Sequence, residues 1–187
     1  PGVVGGSEEA TTDLLRGVAA LNDHEVDLHL FTLPAFAESH PDLASIPATV
    51  APVSGGSRVR RVIVDNTWLR SAVAEAAVDL VHHAGGVVPP LVSGPATLTI
   101  HDVQPLERTE GFSPLKRAYL RALLGRSARG ARRVSVPSSA VRTAVIDRLG
   151  AAPERVDVVP WSVRKAPTLT TQQIEEVRRR QAVGTRF

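Results

Sequence analysis

The sequence of 187 residues contains no cysteine, which excludes disulfide bonds and thiolate metal sites. Aromatic residues make up only 4% of the chain, so the stacking platforms of proteins that bind single-stranded nucleic acid are not expected. No apolar run reaches the roughly 18–20 residues that a membrane-spanning helix needs, and no signal-peptide pattern opens the chain. We therefore expect a cytoplasmic protein that has no nucleic-acid partner.

The overall composition is ordinary for a globular protein, with 43% hydrophobic and 22% charged residues. The length suits one domain, or one and a fraction, with a sizeable core. The formal net charge is +3, and a basic chain suits phosphorylated substrates or an anionic membrane surface.

Apolar periodicity and turn residues predict strands that alternate with helices. The predicted strands are Val26–Leu33, Thr49–Val53, Arg60–Val64, Asp79–His83, Ala96–His101, Arg133–Pro137 and Val156–Pro160. The predicted helices are Ser7–Asn22, Trp68–Ala77, Leu115–Ala128, one from Ser138 or Ser139 to Leu149, and Gln172–Gln181. Between them, Pro34–Ser57 is predicted to be largely irregular. The alternation indicates an α/β fold, a Rossmann-like parallel sheet with helices on both faces.

The stretch Ala96–Asp102 is a short β-branched run that ends in a histidine and an aspartate. Buried parallel strands have this pattern, and open α/β sheets place ligands at the carboxyl ends of such strands. His101 could donate to a ligand hydroxyl or to charge developing on a phosphate; the alternative is a purely structural hydrogen bond. Asp102 either orients His101 or caps the following turn.

Gly5 and Gly6 precede the first predicted helix. Glycines allow close approach of the backbone to a ligand, and a helix start offers free N–H groups to an anion. The alternative is a plain turn, and Glu8 and Glu9 would repel phosphate if they faced it. Because such a loop normally follows a strand, we expect residues before Pro1 in the parent protein to supply the first central strand.

The ordered motifs resemble the amino-terminal half of GT-B retaining glycosyltransferases of family 4. The matching pieces are Gly5-Gly6, Asn22–Val26, Asp79–His82, Thr99–Asp102, Val134–Ser138 before a helix, and Arg155–Val163. The family's usual Asn or Gly after the last proline is replaced by Trp161. The family's acidic donor-binding motif is absent from this chain.

The resemblance implies that residues 1–165 form the acceptor-binding domain. Residues 166–187 would form an interdomain helix and lead into a carboxyl-terminal, donor-binding domain. The complete enzyme would transfer sugar from a nucleotide sugar to a hydroxyl of a glycan, lipid or small molecule. His101, aided by Asp102, would serve the reacting sugar, and Gly5 and Gly6 the donor diphosphate. No cofactor is implied beyond the nucleotide-sugar substrate, and no metal is obligatory.

His82 and Ser138 are further candidates, both for acceptor binding. His82 and His83 are adjacent on a strand and point to opposite faces, so no metal site is expected, and His82 matches the family motif. Ser138 follows a strand and could bind the acceptor, but a helix N-cap explains it equally well. No Gly-x-Ser-x-Gly elbow surrounds it, which argues against a nucleophile.

The predicted helix Leu115–Ala128 is basic on one side, through Lys116, Arg117 and Arg121. In some members of the family such a helix meets anionic lipid, which would place the protein peripherally at the inner face of the membrane. The alternative is a core-packed helix with a solvated basic face.

Two other functions compete with the glycosyltransferase interpretation. One is a non-catalytic, flavodoxin-like module that binds a nucleotide or anion through the same glycine loop. The other is an oligomerising scaffold, which would expose a large apolar face away from the strand ends.

Overall fold

Helices and parallel strands alternate along the chain in the computed structural model, which describes residues 6–21, 25–53, 58–103, 114–162 and 169–180. The helices are α1 (Gly6–Ala20), α2 (Pro34–Ser39), α3 (Arg58–Ala76), α4 (Pro114–Gly130), α5 (Ser139–Leu149) and α6 (Thr171–Arg180). The strands are β1 (Leu30–Thr32), β2 (Ala48–Val50), β3 (Val81–His83), β4 (Ala96–Thr99), β5 (Arg133–Val136) and β6 (Val156–Val158). The predicted α/β class is confirmed.

The strands form two parallel sheets in the described part of the chain. One has the order β1-β2 and the other the order β3-β4-β5-β6. Within the larger sheet, Leu98 lies beside Val134, and Val134 lies beside Val156. Because parallel strands end at the same edge, the loops after β3, β4, β5 and β6 all leave from one side of this sheet.

The hydrophobic core lies between the four-stranded sheet and helices α4 and α5. Leu98, Val134 and Val156 are aligned across the sheet and are at most 3% exposed. The helices contribute Leu124, Ala128, Val145 and Leu149 to the same cluster. The alternate residues of β4, Thr97 and Thr99, lie on the opposite face and are partly exposed.

Helix α5 is delimited by the residues that the sequence predicts. The Ser138 side chain accepts a hydrogen bond from the Val141 backbone N–H at 3.3 Å, which satisfies one of the free amides of the first turn. Gly150 ends the helix in the left-handed region, at φ 72°, where glycine carries no steric penalty.

Two local predictions are wrong. Arg60–Val64 lies inside helix α3 and not in a strand. No Gly or Pro interrupts residues 58–76, so the β-branched residues are carried within a continuous helix despite their strand propensity. The segment Pro34–Ser57, predicted as largely irregular, contains α2 and a 3₁₀ turn at Pro41–Leu43, while its predicted strand Thr49–Val53 is confirmed as β2.

Helix α1 is fixed to the segment that joins β1 and β2. The Arg16 guanidinium donates to Asp42 Oδ2 at 2.6 Å, and the pKa of Asp42 is lowered mainly by this hydrogen bond. Within the first turn of α1, Glu8 contacts Nε2 of the buried His40 at 2.8 Å. The Glu8 carboxylate therefore points toward the β1–β2 segment, where it contacts His40.

None of the helices in the described part of the chain is both long enough and apolar enough to cross a membrane.

Replacing Leu98 with alanine should lower the free energy of unfolding by about 2–5 kcal/mol, because it opens a cavity in a fully buried cluster. Leu80→Ala is the matched control, since Leu80 is 48% exposed, and it should cost only about 0.5 kcal/mol. Urea denaturation of both variants measures the difference. Equal losses would contradict this assignment of the core.

Candidate active site at the carboxyl edge of the sheet

His101 lies just beyond the carboxyl end of β4. The pairing with β5 continues through Ile100, whose N–H donates to the Ser135 carbonyl at 3.0 Å. His101 Nε2 is 2.9 Å from the Ala84 carbonyl oxygen, and a carbonyl can only accept, so Nε2 carries a proton. Nδ1 is buried and has no hydrogen-bond partner among the residues that the structure describes. In the neutral ring, Nδ1 is therefore the hydrogen-bond acceptor, while the Nε2–H donates to the Ala84 carbonyl.

Trp161 is the aromatic neighbour of His101. The two rings meet edge to face, with centroids 5.4 Å apart and planes inclined by 64°. A Cβ atom placed on Gly6 would lie 3.4 Å from Cζ3 of the same indole. The structure thus brings together the start of α1, the end of β4 and the segment after β6, while Gly5 lies outside the described residues.

Asp102 is exposed at the same edge, directly after His101. Its predicted role in orienting His101 stays a prediction, because the His101 nitrogen that makes a hydrogen bond pairs with Ala84.

His82 belongs to β3, and its side chain lies over the neighbouring strand β4 on the polar face of the sheet. Its Nδ1 is 2.9 Å from Thr97 Oγ1 and its Nε2 is 2.9 Å from Thr99 Oγ1. Burial of the imidazole, and secondarily the proximity of His101, lower the pKa of His82. Both nitrogens of His82 are engaged by threonine hydroxyls here, and its predicted contact with an acceptor stays a prediction.

His83 faces the opposite side of the sheet, as the alternation along a strand requires. It is 8% exposed, and burial together with the nearby His82 lowers its pKa to about 4. Its Nε2 has no hydrogen-bond partner in the described part of the chain. Within the described ranges, no group of three or more His, Asp or Glu side chains is placed to hold a metal ion.

The Ser138 oxygen is occupied as the N-cap of α5, which is the structural alternative considered for this residue. The bond to Val141 uses the oxygen as an acceptor and leaves its hydroxyl hydrogen for another partner. The cap is compatible with acceptor binding by Ser138, and that role stays a prediction.

Two arginines of the basic helix α4 have structural partners. Arg126 donates to the Val88 and Pro90 carbonyls at 3.4 and 3.3 Å, and Arg129 donates to the Leu149 carbonyl at 2.8 Å. Arg121 is exposed, while the side chains of Lys116 and Arg117 lie outside the described residues. Arg126 and Arg129 remain exposed, and their bonds also attach helix α4 to the segments around Val88 and Leu149.

Comparison with known proteins assigns the chain that carries this site to a family. The model of Glycosyltransferase Family 4 matches residues 4–164. The chain belongs to glycosyltransferase family 4. This match covers the start of α1, His82, His101, Ser138 and Trp161, and it confirms the family predicted from the motifs. No curated protein matches the chain significantly.

Solved structures of similar fold span twice the length of this family 4 chain. A glycosyltransferase from Rickettsia africae matches with a TM-score of 0.59 at 12% identity, over 99% of this chain and 48% of that chain. Anabaena HepE in complex with UDP matches with a TM-score of 0.58 at 21% identity, over 100% and 49%. HepE in complex with UDP-glucose matches with 0.57 at 18%, over 98% and 48%. The chain therefore spans about half the length of these structures, and the likeness shows a common fold.

Acidification should destabilise the protein through His83. Its pKa of about 4 lies below the ordinary value near 6.5 that the unfolded chain would show. The unfolded state therefore takes up a proton first as pH falls from about 6.5 to 4, and stability falls by about 3 kcal/mol over that window. Denaturation of His83→Phe between these pH values should show a flatter pH dependence than wild type.

His29→Phe is the control for this experiment. His29 contacts Thr49 beside β1 and β2, so the variant retains His83 and should keep the wild-type pH dependence. An unchanged slope in His83→Phe would assign the acid sensitivity to other groups.

Proposed function

We propose that this chain is the acceptor-side domain of a retaining glycosyltransferase that uses a nucleotide-sugar donor. The observation that carries the proposal is the convergence of Gly6, His101 and Trp161 at the carboxyl edge of a parallel sheet, in a chain of glycosyltransferase family 4. Residues 1–165 form this domain, and residues 166–187 lead toward a donor-binding domain of the same protein.

The start of α1 suits the donor diphosphate. A helix amino terminus carries free N–H groups and a partial positive charge, both of which favour an anion. Glu8, whose charge would oppose this, is engaged by His40. HepE has been solved with UDP and with UDP-glucose, which supports a nucleoside diphosphate sugar as the donor class.

His101 serves the reacting sugar in this proposal. When the ring is neutral, Nδ1 can accept a hydrogen bond from a sugar hydroxyl, since Nε2 donates to Ala84. Protonation would turn Nδ1 into a donor toward the departing phosphate, where charge develops. The departing phosphate then takes up the proton of the acceptor hydroxyl, and sugar transfer proceeds with retention.

The cleft between this domain and the donor-binding domain would exclude water and align the acceptor hydroxyl with the anomeric carbon. His82 lies within β3 and Ser138 lies two residues beyond β5, and both are proposed to line the acceptor side. The acceptor is a hydroxyl of a glycan, a lipid or a small molecule. We propose a cytoplasmic enzyme whose helix α4 can meet the inner face of the membrane through Lys116, Arg117 and Arg121.

His101→Ala should reduce sugar transfer by about 10²-fold or more, if the imidazole stabilises the transition state. The assay follows release of UDP from UDP-glucose by the protein that carries this domain together with its donor-binding half. His29→Ala is the matched control, because it removes a histidine beside the smaller sheet. Near-wild-type transfer by His101→Ala would leave His101 with a structural role only.

The isolated chain should bind UDP-glucose weakly or not at all, because most donor contacts belong to the other half of the enzyme. Isothermal titration calorimetry with UDP-glucose and UDP measures this directly. Binding in the micromolar range or tighter by the chain alone would instead support the non-catalytic nucleotide-binding module.

A further inference from the structure

The segment Val159–Ser162, here called the strap, crosses the carboxyl edge of the four-stranded sheet. Val159 still pairs with β5, through its N–H and the Val136 carbonyl at 2.8 Å. Two residues later Trp161 contacts His101, which follows β4. Since β5 separates β6 from β4, Trp161 reaches past the end of β5 to contact His101.

The far end of the strap is tied to helix α1. The Ser162 hydroxyl donates to Asp13 Oδ2 at 3.2 Å, and Asp13 Oδ1 is held by Arg16 at 2.8 Å. The indole between these two anchors packs against Gly6 at the start of the same helix. Trp161 is therefore held from both sides in the position where it meets His101.

The imidazole of His101 is restrained in two different ways. Its Nε2–H bond to the Ala84 carbonyl fixes one nitrogen, and the edge-to-face indole limits tilting and flipping of the ring. A flip would break the bond to Ala84 and would turn the ring within the aromatic contact. Nδ1 is buried and is without a partner among the described residues, so water does not compete for it.

We propose that Trp161 is a positioning residue that holds His101 as the Nε2–H tautomer, with Nδ1 ready to accept a sugar hydroxyl. Trp161 stands where the resembling enzymes carry Asn or Gly, which offer no ring to restrain an imidazole. The identity of the ligand as a sugar rests on the proposed function; the restraint on the imidazole does not. Because Nδ1 is covered, a sugar hydroxyl reaches it only when a neighbouring side chain moves aside.

Imidazole ¹⁵N NMR on the isolated chain tests the restraint without any ligand. At about pH 8.5, where imidazoles are neutral, wild-type His101 should show the shifts of a single Nε2–H tautomer. Trp161→Leu should shift these signals toward a mixture of both tautomers, and Trp161→Phe should restore them. Ser162→Ala, which loosens the strap and keeps the ring, should lie between the wild type and Trp161→Leu.

Trp68→Leu is the matched control. Trp68 contacts Phe31 near the smaller sheet at a centroid distance of 6.5 Å, so its loss should leave the His101 signals unchanged. Wild-type tautomer signals in Trp161→Leu would overturn the proposal, as would a change of equal size in Trp68→Leu. Amide signals of β4 and β5 report whether each variant is folded. If Trp161→Leu does not fold, the His101 tautomer in Trp161→Phe tests the proposal instead.

Transfer assays separate this inference from the proposed function. In the protein with its donor-binding half, Trp161→Leu should lower kcat about tenfold, as expected for a misplaced reacting group. Its KM for UDP-glucose should change less than about twofold, and Trp161→Phe should stay near wild type. A wild-type protein that transfers no sugar would contradict the proposed function, while the NMR result would still decide the role of Trp161.

Discussion

The parallel pairing of β3 through β6 is the constraint on which the site depends. Parallel strands end at one edge, so the residues that follow β4, β5 and β6 come within reach of one another although they are far apart in the chain. Leu98, Val134 and Val156 hold this pairing in register, because a slip by one residue would turn a row of buried side chains toward solvent. The core therefore determines the relative positions of His101, Ser138 and Trp161.

The same alternation gives neighbouring histidines different chemistry. His82 lies on the polar face, where threonine hydroxyls contact both of its nitrogens. His83, one residue later, is buried on the opposite face and stays neutral well below the ordinary range, since its pKa is about 4. A polar face on a parallel sheet is unusual, because parallel sheets are commonly apolar on both sides. On β4 it provides the hydroxyls that orient His82.

The features that depend on nearby residues could be predicted from the sequence. The strand before His101, the Ser138 cap and the Gly150 terminus all follow local rules, and the structure has each of them. The prediction for Arg60–Val64 was wrong because strand propensity is a weak signal when no partner strand is specified. The contact between Trp161 and His101 depends on the packing of distant segments, and its only signal in the sequence was that Trp161 departs from the family pattern.

Helix α1 connects the two halves of this fold. No strand pairing joins the two sheets within the described residues, yet α1 is bonded to the β1–β2 segment through Arg16 and to the strap through Asp13. Arg16 takes part in both connections, since it also holds Asp13. A displacement of α1 would therefore strain its bonds to the strap and to the β1–β2 segment at the same time, so the placement of both depends on this one helix.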